Sequence, residues 1–265
     1  MKIFISADIE GTTGIAHWDE TCPGNGLYQH FADQMTREVN AACEAAIAAG
    51  AEDILVKDAH DSARNIDPSK LPQMVRIMRG WTRNPFIMMA GLDSSFDGVA
   101  FTGYHSASGS NGNPMAHTMS AAYEYISING EYVSEFVMNA YTASYFGVPV
   151  YFLSGDKNLC EEALKLNPNI KTVAVSEGLG NSSTSIHPDL AVARIKSTFT
   201  EALKDDRSKY IIKLPGSFKA EIRFREHFYA YRGGFYPGAV QTGPKSVSFE
   251  SSDYLDVLKF FMFVF

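Results

Sequence analysis

Two carboxylates close the first apolar run of the chain, Lys2-Ile3-Phe4-Ile5-Ser6-Ala7-Asp8-Ile9-Glu10. The run is β-branched and apolar and reads as a buried strand. An ionised carboxyl buried there needs a cation or a partner, because burying its charge alone is costly. Residues two apart on a strand share a face, so Asp8 and Glu10 together read as the start of a site for a hard cation or zinc. Two histidines stand in comparable places: His60, just past Ile54-Leu55-Val56, and His105, at the end of Gly98-Val99-Ala100-Phe101-Thr102-Gly103-Tyr104. Glu135 opens a helix that Ser134 is placed to cap. Two imidazoles and three carboxylates suit two zinc ions bridged by one carboxylate better than a single zinc. Asp8, nearest the strand end, is the natural bridge. Taken singly, each has a structural reading: a loop histidine is commonly a satisfied packing residue, Glu135 complements a helix dipole, and Asp8 caps a turn. Convergence on one sheet edge favours the metal reading, since open parallel sheets bind ligands beyond the carboxyl ends of their strands.

The elements that must hold these residues alternate between strand and helix. Strands are expected at Lys2–Asp8, 54–56, 75–78, 98–105, 150–153 and 172–175. Helices are expected at Phe31–Ala49, stopped by Gly50, at Glu135–Phe146 and at Leu159–Leu166. Tyr125–Ile128, Asn129-Gly130 and Glu131–Val133 read as a hairpin with a type I′ turn. This alternation implies an α/β fold with a mostly parallel sheet covered by helices on both faces. Gly178–Ser185 reads as a linker, which divides the chain into residues 1–185 and a smaller α+β unit at 186–265. In the latter a helix is expected at Leu190–Leu203, strands at Tyr210–Leu214, Ala220–Phe224 and Val247–Phe249, and a last helix from Asp253. Ser106–Asn113, rich in Gly, Ser and Asn, reads as a mobile loop.

Composition removes several function classes. With 265 residues the chain can form one large domain or two smaller ones, and 45% hydrophobic residues is ordinary for a protein with a core. A formal net charge of −7 opposes a nucleic-acid surface, and no basic run suggests membrane contact. Cys22, Cys43 and Cys160 lack C-x-x-C spacing and form no disulfide framework. No apolar run approaches the roughly 20 residues of a spanning helix, and the N-terminus does not read as a signal peptide. A reduced, cytoplasmic protein is expected. The aromatic end Phe260–Phe265 reads as a docked helix terminus or a subunit contact.

Several motifs then carry a resemblance. Ile5-Ser6-Ala7-Asp8-Ile9-Glu10-Gly11, Lys57-Asp58-Ala59-His60, Gly103-Tyr104-His105, Met115-Ala116-His117-Thr118-Met119, and Asn129-Gly130-Glu131 through Glu135 occur in the order found in the D-aminopeptidase family. The chain resembles these binuclear zinc metallopeptidases, associated with a dipeptide-transport operon, nearly end to end. The resemblance implies zinc ligands at Asp8, Glu10, His60, His105 and Glu135 and a catalytic histidine at His117. It also implies a three-layer αβα sandwich with a smaller C-terminal α+β domain, and a ring-shaped homodecamer. The expected activity is removal of an N-terminal residue, a D-amino acid by family, from short peptides by metal-activated water. Manganese or cobalt also fits the O/N donor set. His117 is open to three roles: general base, donor to the leaving amine, or oxyanion stabiliser. Asp58 or Asp61 is placed to take the outer N–H of His60, and glycines near His117 allow its loop to close over substrate. Trp18, Tyr104, Tyr123 and Tyr125 lie near the ligands in sequence, as pocket walls or as ordinary packing. Two rival readings remain: another binuclear-metal amidase or phosphoesterase, and a non-enzymatic peptide-binding protein.

Overall fold

The first apolar run forms β1 (Lys2–Ala7), wholly buried beyond its first residue. A long helix follows, α1 (Tyr28–Ala48), ended at Gly50, whose φ of +90° or so (91°) suits glycine. Then come β2 (Asp53–Asp58), β3 (Val75–Met78) and β4 (Gly98–Tyr104). The hairpin β5 (Tyr123–Ile128) and β6 (Glu131–Tyr132) turns through Asn129 and Gly130, both at positive φ as a type I′ turn requires. Next are α2 (Glu135–Tyr145), β7 (Val150–Asp156), α3 (Lys157–Leu166), β8 (Lys171–Leu179), β9 (Ser182–Ser185) and α4 (Pro188–Ala202). The chain ends with β10 (Phe218–Phe224), α5 (His227–Gly233), β11 (Val240–Gly243), β12 (Ser246–Ser251) and α6 (Tyr254–Val264). This computed structural model describes the whole chain, Met1–Phe265.

Seven strands form the main sheet in the order β3-β2-β1-β4-β7-β8-β9, all parallel except β9. One face packs on α1 and α4 through Met35, Val39, Ala42, Ala46, Ile195 and Phe199. The other face packs on α2 and α3 through Phe136, Ala140, Leu159 and Ala163. These layers are the expected αβα arrangement. The chain runs outward from β1 through β2 to β3 and, from β4, outward the other way. The crevice where strand order reverses therefore lies between β1 and β4.

A second, antiparallel sheet has the order β11-β12-β10-β5-β6. The expected division at residue 185 does not follow the partition of the sheets. Strand β5, from residues 123–128, pairs with β10 and carries β6 on its outer edge, while α4 lies against α1 and the main sheet. One apolar cluster runs from Phe101 on β4 through Phe136 on α2 and Phe260 on α6 to Ile222 on β10.

Three local expectations need correction, and two elements had no expectation. Gly178–Ser185 is no linker: it is the β8–β9 hairpin, with Ser176 opposite Ser185 and Leu179 opposite Ser182. Its small polar residues suit an exposed edge. The strand expected at Tyr210–Leu214 is absent. The 3-10 turn Arg207–Tyr210 precedes an extended stretch there, and side chains, not a neighbouring strand, satisfy the local carbonyls: Asn167 donates to Lys209 O at 2.9 Å and Ser144 to Ile212 O. The elements α5 and β11 carried no clear periodic signal and were not expected. The loop Ser106–Asn113 is packed in place of being a free lid, as described below. No helix is long and apolar enough to cross a membrane.

Candidate metal centre

Asp8, His60 and His105 follow the carboxyl ends of β1, β2 and β4, three neighbouring strands of the sheet. Their convergence depends on two glycines. At Gly11 an added Cβ would lie 1.8 Å from the Tyr104 carbonyl oxygen, and at Gly103 (φ +68°) 2.2 Å from that of Asp8. Both distances are impossible, so only glycine lets the ends of β1 and β4 touch. Backbone bonds close the contact: Asp8 N–H donates to Thr102 O at 2.9 Å and Gly11 N–H to Gly103 O at 2.8 Å. The strand stops at Ala7, so Asp8 and Glu10 reach one another through a turn and not along a pleat.

The acids and imidazoles then meet in two groups. His60 Nδ1 lies 3.4 Å from Asp8 Oδ1 and 3.0 Å from Glu10 Oε2. His105 Nε2 lies 3.5 Å from Asp8 Oδ2 and 3.7 Å from Glu135 Oε2. Each oxygen of Asp8 thus faces a different group. Glu135 is the first residue of α2, whose N-cap Ser134 accepts the Val137 N–H, and Met119 N–H fixes Glu135 Oε1 at 2.6 Å. His117 Nε2 lies 3.7 Å from Glu135 Oε1, and its ring stacks on that of His105 with centroids 4.3 Å apart. Three ligand triads of metal-binding dimensions overlap here: Asp8 with Glu10 and His60, Asp8 with His105 and Glu135, and Glu10 with His105 and His117. All six expected residues come together.

Each imidazole is oriented by a main-chain oxygen. His60 Nε2 donates to Thr21 O at 2.9 Å, His105 Nδ1 to Ser106 O at 3.1 Å and His117 Nδ1 to Met115 O at 2.9 Å. A carbonyl oxygen can only accept, so these nitrogens carry hydrogen and the opposite ones face the acids. The expectation that Asp58 or Asp61 orients His60 is thereby corrected. Asp58 accepts from the N–H groups of Asn65 and Ile66 at 2.6 and 2.8 Å, and the Asp61 carbonyl accepts from Trp81. Thr21, on a loop remote in sequence, gave no signal.

The electrostatics are those of buried acids and imidazoles packed closely enough to share protons. Burial opposes ionisation of Asp8, but His105 and His60 outweigh it and hold its carboxyl well below the usual range. Burial also opposes charge on His105, yet Glu135 and the other acids push it up to about 10, and Glu10 and Asp8 raise His60 likewise. Burial pushes Glu135 up to about 8. His117 moves the other way, lowered by burial and by neighbouring His105. Glu10 Oε2 and His105 Nε2 are buried without a hydrogen-bond partner. Donor atoms left so, of types that zinc accepts, fit a metal.

The site opens into a cavity of about 310 Å³, whose walls include Trp18, Cys22, Trp81 and Met88 besides the site residues. Trp18 sets its ring edge against His117, centroids 5.2 Å apart. Tyr104 lies behind the site, bonded to Ser6 and Asn139, and Tyr125 stacks on Tyr132, so both are packing residues. The Ser106–Asn113 loop is pinned: Asp156 accepts the Ser106 N–H and hydroxyl, both at 2.6 Å, and Asn113 donates to Glu10 O at 3.2 Å.

Fold and centre together define the class of metal-dependent hydrolases built at the crevice of an α/β sheet. More particularly, the chain belongs to the D-aminopeptidase family, peptidase family M55, whose sequence profile matches residues 1–263. It is 30% identical over 258 residues to the D-aminopeptidase of Bacillus subtilis (strain 168), covering 97% of this chain and 93% of that one. Its fold superposes on the Zn-dependent D-aminopeptidase DppA from Bacillus subtilis, described as a self-compartmentalizing protease. The TM-score is 0.92 at 28% identity, over 100% of this chain and 96% of the other.

Proposed function

We propose that this chain is a zinc-dependent aminopeptidase that releases an N-terminal D-residue from short peptides in the cytoplasm. In this reading Asp8, Glu10, His60, His105 and Glu135 hold two zinc ions, and His117 moves protons. The observation that carries it is the split orientation of Asp8, one oxygen toward His60 and Glu10, the other toward His105 and Glu135. Two ions bridged by Asp8 would engage both oxygens, Oδ1 beside the bond it accepts from the Ile9 N–H at 2.8 Å. Bound zinc supplies a water pKa lowered from about 15.7 toward about 7 and a polarised scissile carbonyl.

The side chains do the rest. His117 is held neutral by burial and by His105, with its hydrogen on Nδ1. Its Nε2 lone pair therefore faces the site and can only accept a proton at first. This favours general base first and donor to the leaving amine second over oxyanion stabilisation. Trp18 packs edge-on against the ring, centroids 5.2 Å apart, and restricts its rotation. Met119 N–H and the Ser106 and Thr21 carbonyls keep Glu135, His105 and His60 from rotating, which preorganises the centre.

Self-compartmentalization is described for the Bacillus relative, and we extend it to this chain as a ring-shaped homodecamer. Exposed aromatic residues on its surface, Phe235 and Phe263 among them, support assembly. The test is a substrate panel on protein loaded with zinc, manganese or cobalt. Paired D- and L-alanyl p-nitroanilides should show cleavage of the D form and loss of activity in EDTA, and p-nitrophenyl phosphate should be inert. Glu135→Ala should lower zinc content by about one ion per chain, read by atomic absorption. Phosphatase activity, or unchanged zinc in Glu135→Ala, would overturn the assignment.

A further inference from the structure

A second cavity, of about 250 Å³, adjoins the first and shares Trp81 and Met119 with it. Ile87, Tyr123, Met262 and Phe265 make the rest of its wall largely apolar, with Asn84 the one uncharged polar residue. Arg83 is the only charged side chain lining it, and it is exposed, with neither an ion pair nor a hydrogen-bond partner in the fold. The shared wall is firm. Trp81 Nε1 donates to Asp61 O at 2.7 Å, and the Lys57 ammonium lies 4.3 Å from the centroid of the indole. Lys57 is itself held by the Asp58 and Gly80 carbonyls at 2.6 and 2.8 Å. Three residues of this groove, Arg83, Ile87 and Met119, have φ of +61°, +47° and +64°. A β-branched residue such as Ile87 rarely adopts that region. Strain of this kind persists only where the surroundings enforce it, and it clusters at ligand clamps.

We propose that this groove receives the C-terminal residue of a short peptide substrate, its side chain against the apolar walls and its free carboxylate on Arg83. The inference rests on the aminopeptidase reading above. An exopeptidase of this type holds the substrate's N-terminus at the metal centre, so the remainder of a dipeptide or tripeptide must lie in an adjoining channel. Every short peptide, whatever its sequence, ends in a carboxylate. A planar guanidinium matches that group with two parallel hydrogen bonds. Arg83 then sets substrate length without reading side-chain chirality.

The test is steady-state kinetics of D-Ala-D-Ala and its C-terminal amide, with zinc-loaded wild type, Arg83→Gln and Arg83→Lys. For wild type the amide should show a KM higher by about 10–100-fold, the worth of a charge-assisted pair. Arg83→Gln should raise KM for the free acid by a similar factor, leave the amide unchanged and so abolish the preference. Arg83→Lys should restore part of it. Equal KM values in wild type, or a Gln variant that alters both substrates alike, would overturn the inference. So would a Gln variant with the wild-type preference and a changed sedimentation velocity, because the groove would then be a contact between subunits. If wild type cleaves neither substrate, the aminopeptidase reading fails first and takes this one with it.

Discussion

His117 differs from the two imidazoles beside it: burial and the neighbouring His105 lower its proton affinity, where the acids raise those of His105 and His60. That contrast predicts how its removal reads out. His117→Ala should keep its zinc by atomic absorption yet lose about 10²–10⁴-fold in kcat, the usual worth of general acid–base catalysis. Zinc lost with His117 would make it a ligand, as the third overlapping triad permits. A second prediction concerns the metal-free protein. His105 in the fold holds its proton to about 10 against an ordinary 6.5, and Glu135 to about 8 against 4.5. Both folded values lie above the unfolded ones, so the folded state binds more protons between about pH 5 and 10. Stability must then fall as pH rises through that window. Asp8 is shifted the other way but titrates below the window; His117 and, at the alkaline end, Lys57 are lowered by burial and oppose the trend, against the raised His105, His60, Glu135 and Glu162. Thermal melts of EDTA-stripped protein should show Tm dropping from pH 6 to 9, and zinc should flatten the slope by displacing those protons. A stripped protein that gains stability over that range would contradict the proton inventory.

The elements make the centre through close backbone approach. Gly103 takes φ +68° directly against the Asp8 carbonyl, and Gly11 lies against Tyr104. Gly103→Ala must adopt a left-handed conformation that costs about 1–2 kcal/mol and must also push β1 from β4. The expected result is a loss of at least that stability in urea denaturation, together with weaker zinc binding, because Asp8 and His105 separate. An unchanged midpoint and full zinc content would show that the strand ends tolerate separation. Ser134, at the start of α2, works more simply: its hydroxyl accepts the Val137 N–H and sets where Glu135 enters the site. This cap was legible from Ser-Glu before an apolar run. The pinned loop after His105 was not. Its Gly, Ser and Asn residues look the same in sequence whether they swing freely or are tied to Asp156, because the partner lies across the sheet on β7.

At the scale of the molecule, the second sheet is joined to the first through one apolar core that includes Phe101, Phe136, Phe260 and Ile222. The surface of this second unit carries largely exposed aromatic residues: Tyr231, Phe235 and Phe263 are 62%, 71% and 67% exposed. Such residues point to burial in an assembly. Phe263→Glu should leave the fold of the single chain intact by circular dichroism, since the side chain is 67% exposed within it, and should shift sedimentation velocity toward smaller species. A wild-type sedimentation profile would remove this face from the interface.

The strands of the parallel sheet, the Ser134 cap, the Gly50 stop and the type I′ hairpin were readable from residue order, because periodicity and turn chemistry act over a few positions. So were the five candidate ligands, since carboxylates and imidazoles at the ends of apolar strands are otherwise expensive to bury. His117 came through family resemblance, with no local pattern to mark it. The Thr21 carbonyl on His60, the Trp18 edge on His117, the groove beside Arg83 and the return of β5 and β6 to β10 were not readable. Each joins segments tens of residues apart, and their meeting depends on how strand order and core packing bring loops across the sheet.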